Sequence, residues 1–382
     1  MMNRIAFYQF CLAVRRRGVL GLCLILCTLG LAASASAQPG HIITFDVPSA
    51  GAGAGQGTTP TGINFTGAVL GSYIDAANVS HGFVRALDGE LTTFDMPDAG
   101  TEVYQGTVPL GMNAAGAVSG YYCDVNWNCP GFLRAPDGRI TTFDAPGDSG
   151  GYTGGSNINA VGTISGCYYD ANGTEHVFLR SPEGTFTTFD APGAGPNGTF
   201  TPSFYGLNEQ GAITGYYWDA NGALHGYMRT ADGRLKLFDV PGAGTSSGQG
   251  TEPLSLNSLG VIAGIFKDSN DVKHGFVRTP DGKITTFNAP RAGTGAYQGT
   301  VVISNNLEGE ITGWSIDENN VSHGFTRTAD GRFTLFDVAG AGTDPDVGEG
   351  TFPYGNNFFG AVTGAYVDAN QVNHGFVRRP TP

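Results

Sequence analysis

Aspartate and histidine recur along the chain at a fixed spacing, and together they could form a general base or a metal site. Asp75 precedes His81 by six residues, and the same pairing returns further along the chain. A catalytic base is normally unique, whereas a residue of the framework is repeated with it. We therefore predict that the carboxylate holds the imidazole or caps backbone N–H groups in a loop, with repeated ligand or metal sites as the alternative. The further histidines are His176, His225, His274, His323 and His374.

An arginine follows each of these positions, beginning with Arg85. We predict that it pairs with an acidic or carbonyl group inside its own repeat. Asp75, His81 and Arg85 are thus assigned to the framework and not to catalysis. The other copies of the arginine lie at 134, 180, 229, 278, 327 and 378.

Other motifs that carry chemistry are missing from the sequence. It contains no H-E-x-x-H and no phosphate-binding glycine loop. Asp170-Ala171-Asn172-Gly173 is only a fragment of a calcium loop. We predict no metal, no cofactor and no catalytic residue, although carboxylates paired across a central channel would be invisible in a sequence.

Three cysteines lie beyond residue 37, and two of them flank a short loop. Cys123 and Cys129 bracket residues 124–128, and in an oxidising compartment this spacing predicts a disulfide. A metal site is the rival interpretation, but the motif offers no third ligand. Pro130 stands here in place of the repeated histidine. Cys167 has no evident partner.

These residues belong to a unit that is repeated seven times, with Asn-x-x-Gly as its most regular feature. In the first copy we predict strands at 59–64, 68–74, 81–86 and 91–95. Asp88-Gly89 predicts a two-residue hairpin turn, which would place Phe83 directly opposite Phe94. Such a facing aromatic pair would stabilise the sheet. The repeated Asn lies at 64, 113, 159, 208, 257, 306 and 357.

A four-stranded unit of this length predicts an all-β, seven-bladed β-propeller, with a solenoid as the alternative. The seventh repeat ends without a fourth strand, whereas residues 41–46 resemble a fourth strand with no repeat before it. We predict that the N-terminal strand completes the last blade and closes the ring, with Phe45 opposite Phe376. Residues 38–382 then form one domain.

The first 37 residues differ from the rest and predict a cleaved secretory signal. Arg15-Arg16-Arg17 precedes an apolar run from Val19 to Leu31, and Ala35-Ser36-Ala37 follows. We therefore expect a secreted or periplasmic protein with no membrane span in the mature chain. The formal net charge of −13, to which this segment contributes four arginines and no acid, disfavours nucleic acid and anionic membranes as partners.

The core Gly62-Ile63-Asn64, followed by His81-Gly82-Phe83, resembles the HAF-type repeat of bacterial extracellular proteins. The resemblance covers almost all of the chain after residue 37. The family pattern has Ala where this chain mostly has Gly after the histidine, and often Trp where it has Arg, so this is a variant. The resemblance implies an exported repeat protein and supplies no catalytic residues.

We predict a non-catalytic, monomeric binding or scaffold module for a glycan, a peptide or a cell-surface partner. The alternatives are a propeller lyase or polysaccharide hydrolase with its site in the central channel, and a structural envelope or matrix protein. Departures from the repeat mark the candidate ligand site, because exposed aromatic rings on rigid loops are effective anchors. The candidate residues are Trp127, Tyr104, Gln105, Tyr297 and Gln298.

Overall fold

The computed structural model describes residues 40–202, 205–344 and 347–380. Every regular element in these ranges is a β-strand, which confirms the all-β prediction. None of the described residues forms a helix that is long and apolar enough to cross a membrane. The predicted signal, residues 1–37, lies outside the described residues.

The strands follow one another in antiparallel groups of four, one group to each sequence repeat. In the first repeat they are β2 (Gly57–Ile63), β3 (Val69–Ile74), β4 (Ser80–Arg85) and β5 (Leu91–Phe94). β1 (Ile42–Phe45) precedes them. The next repeats contain β6 (Gly106–Met112), β7 (Val118–Cys123), β8 (Gly131–Arg134), β9 (Ile140–Phe143); β10 (Thr153–Ile158), β11 (Ile164–Tyr169), β12 (Glu175–Arg180), β13 (Phe186–Phe189); and β14 (Thr199–Phe200), β15 (Ile213–Trp218), β16 (Leu224–Arg229), β17 (Leu235–Phe238). The remaining strands are β18 (Gly250–Leu256), β19 (Ile262–Lys267), β20 (Lys273–Arg278), β21 (Ile284–Phe287); β22 (Gly299–Asn305), β23 (Ile311–Ile316), β24 (Ser322–Arg327), β25 (Phe333–Phe336); and β26 (Gly350–Asn356), β27 (Val362–Val367), β28 (Asn373–Arg378).

The hairpin between β4 and β5 is one residue longer than its Asp-Gly pair predicts. The Ala86 N–H donates to the Glu90 carbonyl at 2.8 Å, so residues 87–89 form the loop. Gly89 takes the left-handed φ of 104° that this loop requires. Phe94 consequently lies opposite Gly82, and the predicted pairing of Phe83 with Phe94 is wrong. Side chains alternate along a strand, so the shift of one residue places the two rings on opposite faces of the sheet.

The aromatic rings instead join neighbouring repeats. Phe45 packs edge-on against Phe83 of the next repeat, with their ring centroids 6.0 Å apart. The Arg85 guanidinium lies 4.9 Å above the same Phe45 ring. Arg85 also donates to the Ala86 carbonyl of its own repeat at 3.4 Å, the kind of partner that the sequence predicts, and the ring of the preceding repeat is a second contact. The same arrangement holds for Arg134 over Phe94, Arg180 over Phe143, Arg229 over Phe189, Arg278 over Phe238, Arg327 over Phe287 and Arg378 over Phe336.

The beginning and the end of the described chain share one sheet. β1 pairs antiparallel with β28, and it takes the place of a fourth strand beside β26, β27 and β28. Phe376 lies opposite Thr44, and Phe45 lies opposite Gly375, so the predicted pairing of Phe45 with Phe376 is also wrong. The cause is the same shift of one residue.

The repeated asparagines link consecutive repeats through their side chains. The Asn257 amide donates to the Asn306 carbonyl, and the Asn306 amide donates to the Asn357 carbonyl, both at 2.9 Å. The Asn357 amide in turn donates to the carbonyl of Asn64 at 3.3 Å, across 293 residues of sequence. The other links run from Asn64 to Asn113, to Asn159, to Asn208 and to Asn257. We call the side of the molecule that carries these turns the asparagine face.

Tyr205 fills the space between the first strands of several repeats. It forms a bridge with Ser255, and its ring lies against Gly62 and Gly355. The cavity beside it measures about 40 Å³ and is lined by residues 61–64, Leu70, Leu110, Gly111, Met112 and Tyr205.

Candidate functional site

Each repeated aspartate organises the loop that follows the second strand of its repeat. The Asp75 Oδ1 accepts hydrogen bonds from the N–H groups of Ala77 and Val79, both at 2.9 Å. Its Oδ2 lies 3.5 Å from the His81 Nε2. Burial alone would raise the pKa of Asp75, but these N–H groups and the imidazole lower it. We call this side of the molecule the aspartate face.

The imidazole of His81 is held from three directions. Its Nδ1 lies 2.9 Å from the Asp95 Oδ1, its Nε2 faces Asp75, and its ring stacks on Tyr73 at 4.8 Å. The hydrogen bond with Asp95 raises the pKa of His81 above its ordinary value. The same contact with the aspartate at the end of a fourth strand fixes His176, His225, His323 and His374, whereas His274 meets Asn288. These contacts are those expected of a framework role, which stays a prediction.

A glutamine that recurs among the repeats forms a second contact on the aspartate face, with a residue of the loop that follows the second strand. Gln56 accepts from the Gly53 N–H at 2.8 Å and donates to the Asn78 Oδ1 at 3.0 Å. Asn78 is a left-handed residue that lies 22 positions after Gln56. Gln249 donates to Asp271, and Gln298 donates to Asn320, across the same 22 positions.

The second repeat breaks this arrangement at Trp127. Trp127 lies 22 positions after Gln105 and has the same left-handed backbone, with φ of 64°. Gln105 is only 1% exposed, and its Nε2 has no hydrogen-bond partner. An indole cannot accept the hydrogen bond that Asn78, Asp271 and Asn320 accept from their glutamines. A buried amide donor is therefore left without its acceptor beside an exposed indole.

A second break lies on the other side of the same loop. Pro130 replaces the histidine, and Gly151 occupies the place of the glutamine in a shortened connection to the third repeat. A cavity of about 360 Å³ opens there, lined by Asn128, Cys129, Asp144, Asp148, Ser149 and Gly151. Asp144 has lost its imidazole partner, and burial together with the charge of Asp148 raises its pKa. The cavity lies where Pro130 and Gly151 stand in place of the histidine and the glutamine of other repeats.

The disulfide between Cys123 and Cys129 closes the loop that separates these two features. It joins the end of β7 to the start of the third strand, and the Cys129 N–H donates to the Gly151 carbonyl at 2.9 Å. Trp127 is therefore presented on a braced loop. Cys167 is free and buried, and burial raises the pKa of its thiol well above the ordinary range.

The sequence-predicted ligand residues fall at two separate junctions. Gln105, Tyr104 and Trp127 belong to the second repeat, where the Tyr104 N–H donates to the Asn78 carbonyl at 2.8 Å. Tyr297 and Gln298 lie at the sixth repeat, where the Gln298 amide is already bonded to Asn320. Sequence reasoning missed Asp144 and Asp148. The sequence signal for a cavity at this position was the shortened connection combined with Pro130, because each removes a side chain that other repeats have there.

Comparison with solved structures shows likeness at low sequence identity. The BP39L lectin from Burkholderia pseudomallei is 10% identical, with a TM-score of 0.54 over 83% of this chain and 94% of that one. A prolyl endopeptidase structure is 11% identical, with a TM-score of 0.52, and this chain spans 50% of its length. The Aleuria aurantia lectin, described as a six-bladed β-propeller, is 12% identical with a TM-score of 0.41.

At these identities the likeness concerns the fold alone, which is all-β and built of four-stranded antiparallel units. No protein-family model and no curated protein matches the chain. The resemblance to HAF-type repeats therefore stays a prediction.

Proposed function

We propose that the protein is a non-catalytic carbohydrate-binding module built on a seven-bladed β-propeller, secreted or exported to the periplasm. The number of repeats, the pairing of β1 with β28 and the return of the asparagine links to Asn64 support a ring of seven blades closed by the N-terminal strand. The structural neighbour BP39L is a lectin, which supports the ligand class. The residues around Trp127 support it further.

The observation that carries the proposal is the buried Gln105 amide without an acceptor, next to Trp127. An unpaired buried donor costs roughly 1–3 kcal/mol, and a ligand oxygen would recover that loss once the Trp127 side chain moves aside, since Gln105 is 1% exposed. A sugar offers hydroxyl oxygens as acceptors and an apolar ring face for the indole. Its hydroxyl groups can also donate to the carboxylate of Asp144, which has no histidine partner and lines the adjoining cavity. This combination suits a sugar better than a purely apolar or anionic ligand.

The decisive variant is Trp127→Asn, which restores the residue type that the repeat has at position 78. The asparagine should accept the Gln105 hydrogen bond, so the protein should remain folded while the stacking surface is lost. We expect carbohydrate affinity to fall at least about tenfold, as for the loss of an aromatic anchor. Binding would be screened on a glycan array and measured by titration calorimetry.

Two further variants separate this site from the rest of the aspartate face. Tyr297→Ala removes an exposed ring at the sixth repeat and should leave the affinity unchanged. Asp144→Asn should weaken binding, and it is preferred to a substitution of Asp148, whose carboxylate accepts hydrogen bonds from the Gly151 N–H and the Thr153 hydroxyl. If no glycan binds the wild type, or if Trp127→Asn binds as the wild type does, the proposal is wrong. Binding of peptides alone would instead favour the peptide alternative.

A further inference from the structure

The residue directly after the fourth strand of each repeat contacts the histidine of that repeat, with one exception. In the first repeat the Asp95 Oδ1 lies 2.9 Å from the His81 Nδ1. In the second repeat the equivalent residue is Asp144, and Pro130 stands in the place of the histidine. Within the described part of the chain, no residue donates a hydrogen bond to the Asp144 carboxylate or forms an ion pair with it. The remaining contacts join Asp190 to His176, Asp239 to His225, Asn288 to His274, Asp337 to His323 and Asp46 to His374.

The Asp144 carboxylate is accessible to a ligand. It lies on the surface and lines the cavity of about 360 Å³ beside the second repeat. Its neighbour Asp148 is already engaged, because its carboxylate accepts hydrogen bonds from the Gly151 N–H and the Thr153 hydroxyl. Partial burial and the charge of Asp148 raise the pKa of Asp144. A positive group in the cavity would offset both effects.

The other groups that surround the histidine are present in the second repeat but are already occupied. Asp124 is the equivalent of Asp75, whose Oδ2 faces the imidazole of the first repeat at 3.5 Å. The Asp124 Oδ2 accepts a hydrogen bond from the Asn128 amide at 3.3 Å. Tyr122, the equivalent of the ring that stacks on that imidazole, is only 5% exposed. A ligand therefore reaches this place from the side of Asp144.

A protonated nitrogen base is the class of ligand that these observations favour. Wherever a repeat supplies an imidazole, the residue equivalent to Asp144 contacts its Nδ1. A hydrogen bond between a charged N–H group and a carboxylate is short and strong. A metal ion would need several ligands, and the described residues include no group of three histidine, cysteine, aspartate or glutamate side chains that could hold one. The charges that act on Tyr122 and on Asp144 all belong to carboxylates, those of Asp98, Asp124, Asp144 and Asp148.

We propose that the second repeat binds a protonated nitrogen base at Asp144, in the place that an imidazole of the chain occupies in the other repeats. The ligand enters from the cavity, whose wall includes Asn128 of the loop that carries Trp127. The identity of the base rests on the function proposed above. Since Trp127 and Asn128 are consecutive, the carbohydrate ligand that suits both features is an amino sugar with a free ammonium group.

Imidazole itself is the first probe of the site. In a saturation-transfer NMR titration at about pH 6, where imidazole is mostly protonated, it should bind the wild type. Asp144→Asn should weaken this binding by about fivefold or more. Asp137→Asn, which removes a carboxylate from a turn of the same repeat, is the matched control and should leave the binding unchanged. Pro130→His supplies an imidazole from the chain and should abolish the binding.

Two controls separate this site from the general attraction of cations to a chain with a net charge of −13. Dimethylimidazolium, in which both nitrogens are methylated, keeps the charge but has no N–H group, and it should bind at least about tenfold more weakly. His225→Gly removes the imidazole from Asp239 and should add a second site of the same kind. Absence of imidazole binding by the wild type overturns the proposal, and binding by His225→Gly alone would show that Pro130 closes the second repeat. Equal losses in Asp144→Asn and Asp137→Asn also overturn it.

Glucosamine, glucose and N-acetylglucosamine test the assignment to an amino sugar. Glucosamine should bind at least about fivefold more tightly than the other two, because only it carries an ammonium group, and Asp144→Asn should remove the difference. Equal binding of the three sugars overturns this assignment and leaves the carbohydrate-binding function intact. If no sugar binds, that function is wrong, and the imidazole titration still decides whether Asp144 is a cation site. Unchanged circular dichroism and melting temperature show that each variant is folded.

Discussion

Replacing Asn257 by alanine tests whether the asparagine links hold neighbouring repeats together. The Asn257 Nδ2 donates to the carbonyl of Asn306 at 2.9 Å, and its Oδ1 accepts from the N–H groups of Leu259 and Val261 at 3.0 Å. The side chain is buried, so water cannot replace these partners. Three lost hydrogen bonds at about 1 kcal/mol each predict a loss of about 3 kcal/mol in the free energy of unfolding.

A second substitution separates the link from the turn. Asn257→Asp keeps an oxygen for the two N–H groups of the turn but cannot donate to the Asn306 carbonyl while it is ionised. We expect a loss of about 1–3 kcal/mol, because a carboxylate then faces a buried carbonyl. Asn270→Ala, at an exposed loop position of the same repeat, is the control and should change stability by less than about 0.5 kcal/mol.

Urea unfolding at neutral pH, followed by circular dichroism, measures these differences. At about 2 °C for each kcal/mol in a large domain, Asn257→Ala should lower the melting temperature by about 6 °C. An unchanged midpoint for Asn257→Ala would refute the reasoning about both the turn and the link. An Asn257→Asp variant as stable as the wild type would refute only the contribution of the link between repeats.

Three further predictions concern other contacts between and within repeats. Arg278→Met should lower the free energy of unfolding by about 1 kcal/mol in urea, because the guanidinium lies 4.7 Å from the Phe238 ring of the preceding repeat; no change would argue against this stack. Asp337 raises the pKa of His323 above its ordinary 6.5. The contact between Asp337 and the protonated His323 therefore stabilises the folded protein fully below pH 6.5, and this stabilisation is lost as the pH rises through the pKa of His323 in the folded state. Asp337→Asn should therefore destabilise the protein more at about pH 5.5 than at about pH 8.5, and equal effects in denaturation at both would contradict this. Deleting residues 38–47 removes the partner of β28 and should cost at least about 5 kcal/mol, and an unchanged melting temperature would show that β1 does not matter.

The sequence predicted the features that depend on local spacing. The interval from Asn64 through Gly67 to Asp75 defines turns and strands, because glycine and capping carboxylates act on residues only a few positions away. The disulfide of Cys123 and Cys129 follows from the same kind of local argument, because both cysteines belong to one hairpin loop. The missing fourth strand of the last repeat could be recognised because every other repeat supplied a template for it.

The register of the last hairpin in each repeat was predicted wrongly, and the reason is physical. Asp88-Gly89 is compatible with loops of two or three residues, and the choice depends on how the strand twist fits the neighbouring sheets. One additional residue moved Phe94 from a position opposite Phe83 to one opposite Gly82. The aromatic contacts therefore form between repeats, with the arginine of the next repeat above each ring.

The candidate site was likewise predictable from the sequence only in part. The sequence by itself determined that Trp127 and Pro130 depart from the repeat, because a departure needs only the other copies for comparison. Only the tertiary structure decided that Gln105 donates to nothing and that Asp144 and Asp148 line one cavity. A connection can form a hydrogen bond with a loop 22 residues away only after the strands have paired. The same is true of the space that an absent side chain leaves.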